Sequence, residues 1–156
     1  MSRPSLIETA RALFAGDKGL LAMDESTPTC DKRFAKLGIP QTEEMRRAYR
    51  ELIVTAPGLG ASIGGAILYD ETIRQATRDG TSFAALLSSR GIHPGLKVDQ
   101  GAEALALYPG EKVSAGLDGL REPLADDPQL CAKVAKAPAP RTMRERAAPL
   151  AAPVPR

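Results

Sequence analysis

Gly19-Leu20-Leu21-Ala22-Met23-Asp24-Glu25-Ser26 is the stretch on which the fold turns. Gly19 releases a short unbroken apolar run, the pattern of a strand buried on both faces, and the run stops at two carboxylates. Two further runs have the same form. Ile63-Gly-Gly-Ala-Ile-Leu-Tyr69 stops at Asp70 and Glu71, and Pro94-Gly-Leu-Lys-Val-Asp99 places Lys97 and Asp99 at its end. Charged groups just past buried parallel strands are where α/β folds gather their chemistry.

The segments between these runs read as helices. Ser5-Leu-Ile-Glu8 is a capping box that predicts a helix from about 6 to 15, with Ile7, Ala10, Leu13 and Phe14 as its apolar side and Gly16 as its stop. Thr42 caps a second helix with Glu43 and Glu44 in its first turn. Met45, Ala48, Tyr49, Leu52 and Ile53 recur at i, i+3, i+4, i+7 and i+8, which predicts the buried face, and Pro57-Gly58 closes it. Past the Asp79-Gly80 turn, Ser82 caps a third helix through Phe83, Leu86 and Leu87 to Gly91. Helix and strand thus alternate, which argues for a parallel α/β arrangement.

A further helix is expected to begin at Gly116-Leu-Asp-Gly-Leu120, with Pro128 placed to break it. From Ala137 to Arg156, 11 of 20 residues are Ala or Pro and no period survives, so a disordered or extended tail is expected. The predicted organisation is a folded part over 1–125 and a divergent Ala/Pro/Arg-rich tail over 126–156.

Composition sets outer limits. At 156 residues the chain suffices for one compact domain. Twenty-one Lys plus Arg stand against 19 Asp plus Glu, and four Arg against one Glu fall in 137–156, so the rest is close to neutral. No nucleic-acid or anionic-membrane partner is implied. Cys30 and Cys131 are far apart, with no CxxC or histidine beside them, so neither a disulfide framework nor a zinc knuckle is indicated. Without a long apolar run or a leader-like start, a cytoplasmic location is expected.

Several residues carry chemistry with two readings each. A strand period of two points Lys97 and Asp99 to one side. If that side is an interior, an ammonium and a carboxylate sit together at the strand end; if it is a wetted face, both are ordinary surface charges, and spacing alone leans to the latter. Asp24 either orients a substrate hydroxyl or neighbouring lysine, or only belongs to the cap of the next helix through Ser26 and Thr27. Gly58-Leu-Gly-Ala-Ser-Ile-Gly-Gly65 follows a helix and precedes a strand, the reverse of a dinucleotide turn, and reads as a loop. The single histidine, His93, is expected in a loop before Pro94, and no metal site is expected around it.

Taken together, Lys18-Gly-Leu-Leu-Ala-Met-Asp-Glu-Ser26, Lys32-Arg33, Thr42-Glu-Glu-Met-Arg-Arg-Ala-Tyr-Arg-Glu51, Thr55-Ala-Pro-Gly-Leu-Gly60, Gly65-Ala-Ile-Leu-Tyr-Asp-Glu-Thr72, Gly95-Leu-Lys-Val-Asp99 and Gly116-Leu-Asp-Gly-Leu120 closely resemble class I fructose-bisphosphate aldolases of the bacterial and plastid type. The resemblance covers 5 to about 125. It implies an incomplete (β/α)₈ barrel of about three βα units, and reversible cleavage of fructose 1,6-bisphosphate to dihydroxyacetone phosphate and glyceraldehyde 3-phosphate. In that family a lysine Schiff base does the chemistry, with no metal or other cofactor. By the same resemblance Asp24 and Lys97 are catalytic, Lys97 adding positive charge near the centre, and Ser26, Thr29 and Arg33 bind a sugar phosphate through hydroxyl and guanidinium donors. Val134-Ala-Lys136 keeps ungapped register with the family's fourth-strand lysine, which makes Lys136 a candidate, although Ala137-Pro138 replaces the Trp-Arg expected next and the strand there is expected to be lost.

The family's acid/base glutamate, Schiff-base lysine and later phosphate loops have no counterpart in this sequence. A truncated and inactive aldolase part is therefore expected, with a tail that fits an out-of-frame reading, a sugar bisphosphate as the family's ligand, and oligomers as the family's habit. The alternative is a non-catalytic interaction or assembly element.

Overall fold

In a computed structural model the described residues are 5–99, 101–104, 110, 112–115 and 134–136. In chain order the elements are α1 (Leu6–Leu13), a 3-10 turn (Ala15–Asp17), β1 (Gly19–Met23), α2 (Thr27–Lys36), α3 (Glu43–Val54), α4 (Leu59–Ser62), β2 (Ile63–Leu68), α5 (Asp70–Arg74), α6 (Phe83–Ser89), β3 (His93–Lys97), β4 (Gly101–Ala104), β5 (Lys112–Ala115) and β6 (Val134–Lys136). They fall into two units, one running through Lys97 and including Val134 and Ala135, the other starting at Val98 and including Lys136. The expected helix from Gly116 and the tail from Ala137 lie outside the described residues.

The first unit is built on a sheet of order β1-β2-β3-β6, in which β1, β2 and β3 run parallel. β2 is its centre, buried from Gly64 to Leu68, and Met23, Leu68, Ile73, Phe83, Leu87, Ile92 and Leu96 make a core of aliphatic residues and one phenylalanine. Gly64 is required where α1 crosses β2, because a Cβ there would stand 2.1 Å from the Leu13 carbonyl oxygen. At about 25 cal/mol per Å² of apolar surface, side chains of this size are worth roughly 2 kcal/mol each, so the sheet and its helices hold one another.

The caps form as the local sequence dictates. Ser5 Oγ accepts from the Glu8 amide at 3.2 Å while Glu8 Oε2 accepts from the Ser5 amide at 2.7 Å, which closes the predicted capping box. Thr42 and Ser82 accept from the amides of Met45 and Ala85. Helix α1 ends at Leu13, and Gly16 sits at φ +64°, a left-handed conformation, inside the 3-10 turn that follows.

Packing overrides the predicted helix faces. Among the described side chains of α1 Leu13 alone is buried, and Ile7 and, just past the helix, Phe14 are exposed. On α3 the buried residues are Arg46, Arg50 and Val54, whereas Leu52 is 73% exposed. The stripe at i, i+4 and i+8 that faces inward therefore carries two guanidinium groups, and the apolar stripe lies rotated away from it. The supposed loop at Gly58–Gly65 contains the one-turn helix α4 and the start of β2. His93 opens β3 opposite Gly65 and is not in a loop. Val134–Lys136 forms a three-residue strand, and the stretch from Ala137, where the strand was expected to be lost, lies outside the described residues.

In the second unit β4 and β5 form an antiparallel ladder from Gly101↔Ala115 to Ala104↔Lys112. This hairpin was not foreseen, since Gly-Ala-Glu-Ala contains no β-branched residue. Val98 N donates to the Lys136 carbonyl at 3.0 Å, and Gly101 N donates to Asp99 Oδ1 at 3.0 Å. β3 ends at Lys97, so period-two alternation does not carry through to Asp99. Asp99 is buried, which rules out the surface-charge reading for that residue.

Candidate functional site

The parallel register brings three strand ends level, with Met23 opposite Leu68 and Leu68 opposite Leu96. The next residues of the three strands, Asp24, Tyr69 and Lys97, therefore share one edge of the sheet. Two strand spacings separate Asp24 from Lys97, about 10 Å at the usual ~4.8 Å per strand. That is room for a small polar molecule. Both residues are half-buried.

The β1–α2 connection supplies the other predicted groups. Ser26 occupies the N-cap position of α2, with Pro28 in the first turn, but its hydroxyl makes no capping hydrogen bond. Ser26 Oγ instead lies 3.0 Å from Thr29 Oγ1. The N-cap position of α2 thus belongs to Ser26, not to Asp24. Arg33, one turn further along α2, reaches back to Glu25, its Nη1 donating to Oε1 at 2.5 Å. Ser26 and Thr29 accordingly lie at the start of α2, where an anion is favoured by the helix dipole and by amides with no partner inside the helix, and Arg33 stands in its last turn with its guanidinium turned back to Glu25.

Residues that the sequence reading passed over hold this arrangement in place. Arg50 Nη1 donates to Glu25 Oε2 at 2.5 Å, and Arg50 Nη2 donates to the Glu25 carbonyl oxygen at 3.1 Å. The Arg50 guanidinium also lies 5.2 Å from the centroid of the Tyr49 ring, which meets Phe34 edge-on at 5.7 Å. Arg46 binds Glu71 through Nε and Nη2, both at 2.8 Å, and Asp31 through Nη1 at 2.9 Å. Two buried arginines thus tie the loop after β1, the helix after β2 and α2 to α3. The only signal in the sequence was the spacing of Arg46, Arg50 and Val54, which a hydrophobic pattern ignores because arginine is read as solvated.

Electrostatics follow from this wiring. Burial pushes the Glu25 carboxyl up, but hydrogen bonds from Arg50 and from its own backbone, and the Arg33 contact, outweigh it and hold Glu25 below the ordinary carboxylate value. The hydrogen bonds with Glu71, joined by those with Asp31, raise Arg46 against the opposing effect of burial. Burial raises the Cys30 thiol on the inner face of α2. Lys136 ends β6 and is exposed, in the second unit. Among the described residues no group of three or more His, Cys, Asp and Glu is arranged to hold a metal ion, and no helix is long and apolar enough to cross a membrane.

Comparison with known proteins covers the same part of the chain. The family model for class I fructose-bisphosphate aldolase matches residues 5–150. A probable class 1 fructose-bisphosphate aldolase of Xanthomonas campestris pv. campestris is 56% identical over 136 residues, 87% of this chain and 41% of that protein. Chloroplastic fructose-bisphosphate aldolase 1 of Chlamydomonas reinhardtii is 48% identical over 84% of this chain and 35% of its own length. Among solved structures, the fructose-bisphosphate aldolase of Plasmodium falciparum, in complex with TRAP and a small-molecule inhibitor, superposes with a TM-score of 0.77. It is 41% identical, over 83% of this chain and 37% of the other. The chain spans about two fifths of the length of the curated relatives it matches.

Proposed function

The chain belongs to the class I fructose-bisphosphate aldolase family, and we propose that its residues form the sugar-phosphate-binding arc of an aldolase site without completing the cleavage by themselves. The observation that carries this reading is the Ser26–Thr29 pair at the start of α2, with the Arg33 guanidinium turned back to Glu25, together with the shared strand edge that holds Asp24 and Lys97. Hydroxyl and guanidinium donors at a helix start suit a phosphate dianion, and Lys97 adds positive charge where a ketose bisphosphate would extend across the strand ends. Asp24, a carboxylate at the end of β1, suits hydrogen bonds from substrate hydroxyls. Lys136 is proposed as a third catalytic position on its register with the family alone.

The reaction of the whole family member would be reversible cleavage of fructose 1,6-bisphosphate, a glycolytic carbon–carbon lyase step in the cytoplasm. The lysine that forms the Schiff base is not among the residues of this chain that match the family. The test is incubation of the 156-residue chain with fructose 1,6-bisphosphate and borohydride, read by intact mass and by triose phosphate release. Neither adduct nor triose phosphate is expected. A trapped adduct together with product release would overturn the inactive part of the proposal.

A second reading, a non-catalytic assembly element that joins an aldolase chain, draws on the large apolar side chains Ile7, Phe14, Leu37 and Leu52 that the described fold leaves exposed. It requires co-purification with an aldolase at a fixed ratio. A chain recovered alone and monodisperse counts against it.

A further inference from the structure

Glu25 is shared between two arginines in unlike surroundings. Its Oε2 and its carbonyl are held by Arg50, whose side chain is 3% exposed, whereas its Oε1 is held by Arg33, whose side chain is 59% exposed. The two contacts are unequal in what their loss costs. Parting Glu25 from Arg50 strands a charge inside the protein, while parting it from Arg33 only returns a guanidinium to water, so the exposed contact is the one that yields. Ser26 and Thr29, the hydroxyls beside this pair, are turned to each other at 3.0 Å, and no side chain caps the helix they open.

We infer that Glu25 is a gating carboxylate for the phosphate site: it occupies the Arg33 guanidinium until a phosphate monoester displaces that one oxygen, while Arg50 keeps the other. The inference rests on the reading of Arg33 as a phosphate ligand. Arg50 acts here as a positioning residue, because by holding Oε2 and the carbonyl it sets where Oε1 stands. Phosphate offers Arg33 a doubly charged, bidentate partner in place of a single carboxylate oxygen, and so wins the exchange at sufficient concentration. The titratable groups around Glu25 are Arg33 and Cys30 from α2 and Arg50 from α3.

The test uses the full chain, inorganic phosphate as the probe and calorimetry at low ionic strength. Removing the competitor in Glu25→Gln, or shortening it in Glu25→Asp so that it holds Arg50 but falls short of Arg33, tightens phosphate binding about threefold or more, the scale of an exposed competing ion pair. A merely structural role predicts the opposite sign. Equal or weaker binding by either variant, with an unchanged circular dichroism spectrum, overturns the inference.

A measurement on the unaltered chain needs no variant to fold. Saturating phosphate takes one arginine from Glu25, so the midpoint of the Glu25 carboxyl titration followed by carbon-13 NMR rises, and an unmoved midpoint overturns the gate. Arg33→Ala separates the two levels of the argument. If phosphate binds it as well as the parent, the phosphate-ligand reading fails and takes the gate with it; if binding is lost while Glu25→Gln binds no tighter, the gate alone fails.

Discussion

Arg50 shows how much a single side chain can settle. It is almost wholly buried, its partner Glu25 is half-buried, and removing one member of such a pair leaves the other charge uncompensated. Arg50→Ala is expected to cost about 3 kcal/mol in urea denaturation, and Arg50→Lys to recover only part of this, since an ammonium cannot span the Glu25 carboxylate and carbonyl as the guanidinium does. The same pair sets an acid response. Glu25 is held below its ordinary value of 4.5, so its native carboxyl binds a proton less readily than the unfolded one. The stabilisation is then complete above about pH 4.5 and is lost as pH falls through the depressed native value. Urea midpoints measured from pH 7 down to pH 3 should fall less steeply for Glu25→Gln than for the parent. Cys30 answers in the other direction, because burial disfavours its thiolate. Its peptide, followed by mass spectrometry, should take up iodoacetamide markedly more slowly in native chain than in urea at the same pH.

Helix α3 carries the clearest difference between pattern and packing. Its limits were legible, because Thr42, the acidic first turn and Pro57-Gly58 are local signals that act within a few residues. Its face was not, because the five apolar residues at helical spacing compete with Arg46 and Arg50, and only the carboxylates waiting at Asp31, Glu71 and Glu25 make burial of the arginines favourable. Two substitutions separate the alternatives. Leu52→Gln should change stability by less than about 0.5 kcal/mol as an exposed site, whereas Val54→Ala, fully buried, should cost about 2 kcal/mol in the same denaturation. Thr42→Ala should cost about 1 kcal/mol through loss of the cap. If Leu52 proved the more costly of the two core tests, the predicted face would be right and the packed one wrong.

Across the first unit, the parallel sheet is what turns separate motifs into a site. Gly64 lets α1 lie against β2 at backbone distance, so Gly64→Ala should undock α1 and expose the segment before β1 to limited proteolysis while the far-UV signature of the remaining helices persists. The order of apolar runs, their charged ends, the caps and the turn residues were all readable along the chain. These gave the α/β class and the limits of most elements, because each signal depends on neighbours only a few positions away, whereas Asp24, Ser26, Thr29, Arg33 and Lys97 were named as site residues by the resemblance to the family. Register between strands, the inward turn of Arg46 and Arg50, the division of Glu25 between two arginines and the burial of Asp99 had to wait for packing. Each depends on groups tens of residues apart, such as Glu25 with Arg50 and Arg46 with Glu71, whose meeting no local pattern encodes and whose charges are stable inside only once they meet.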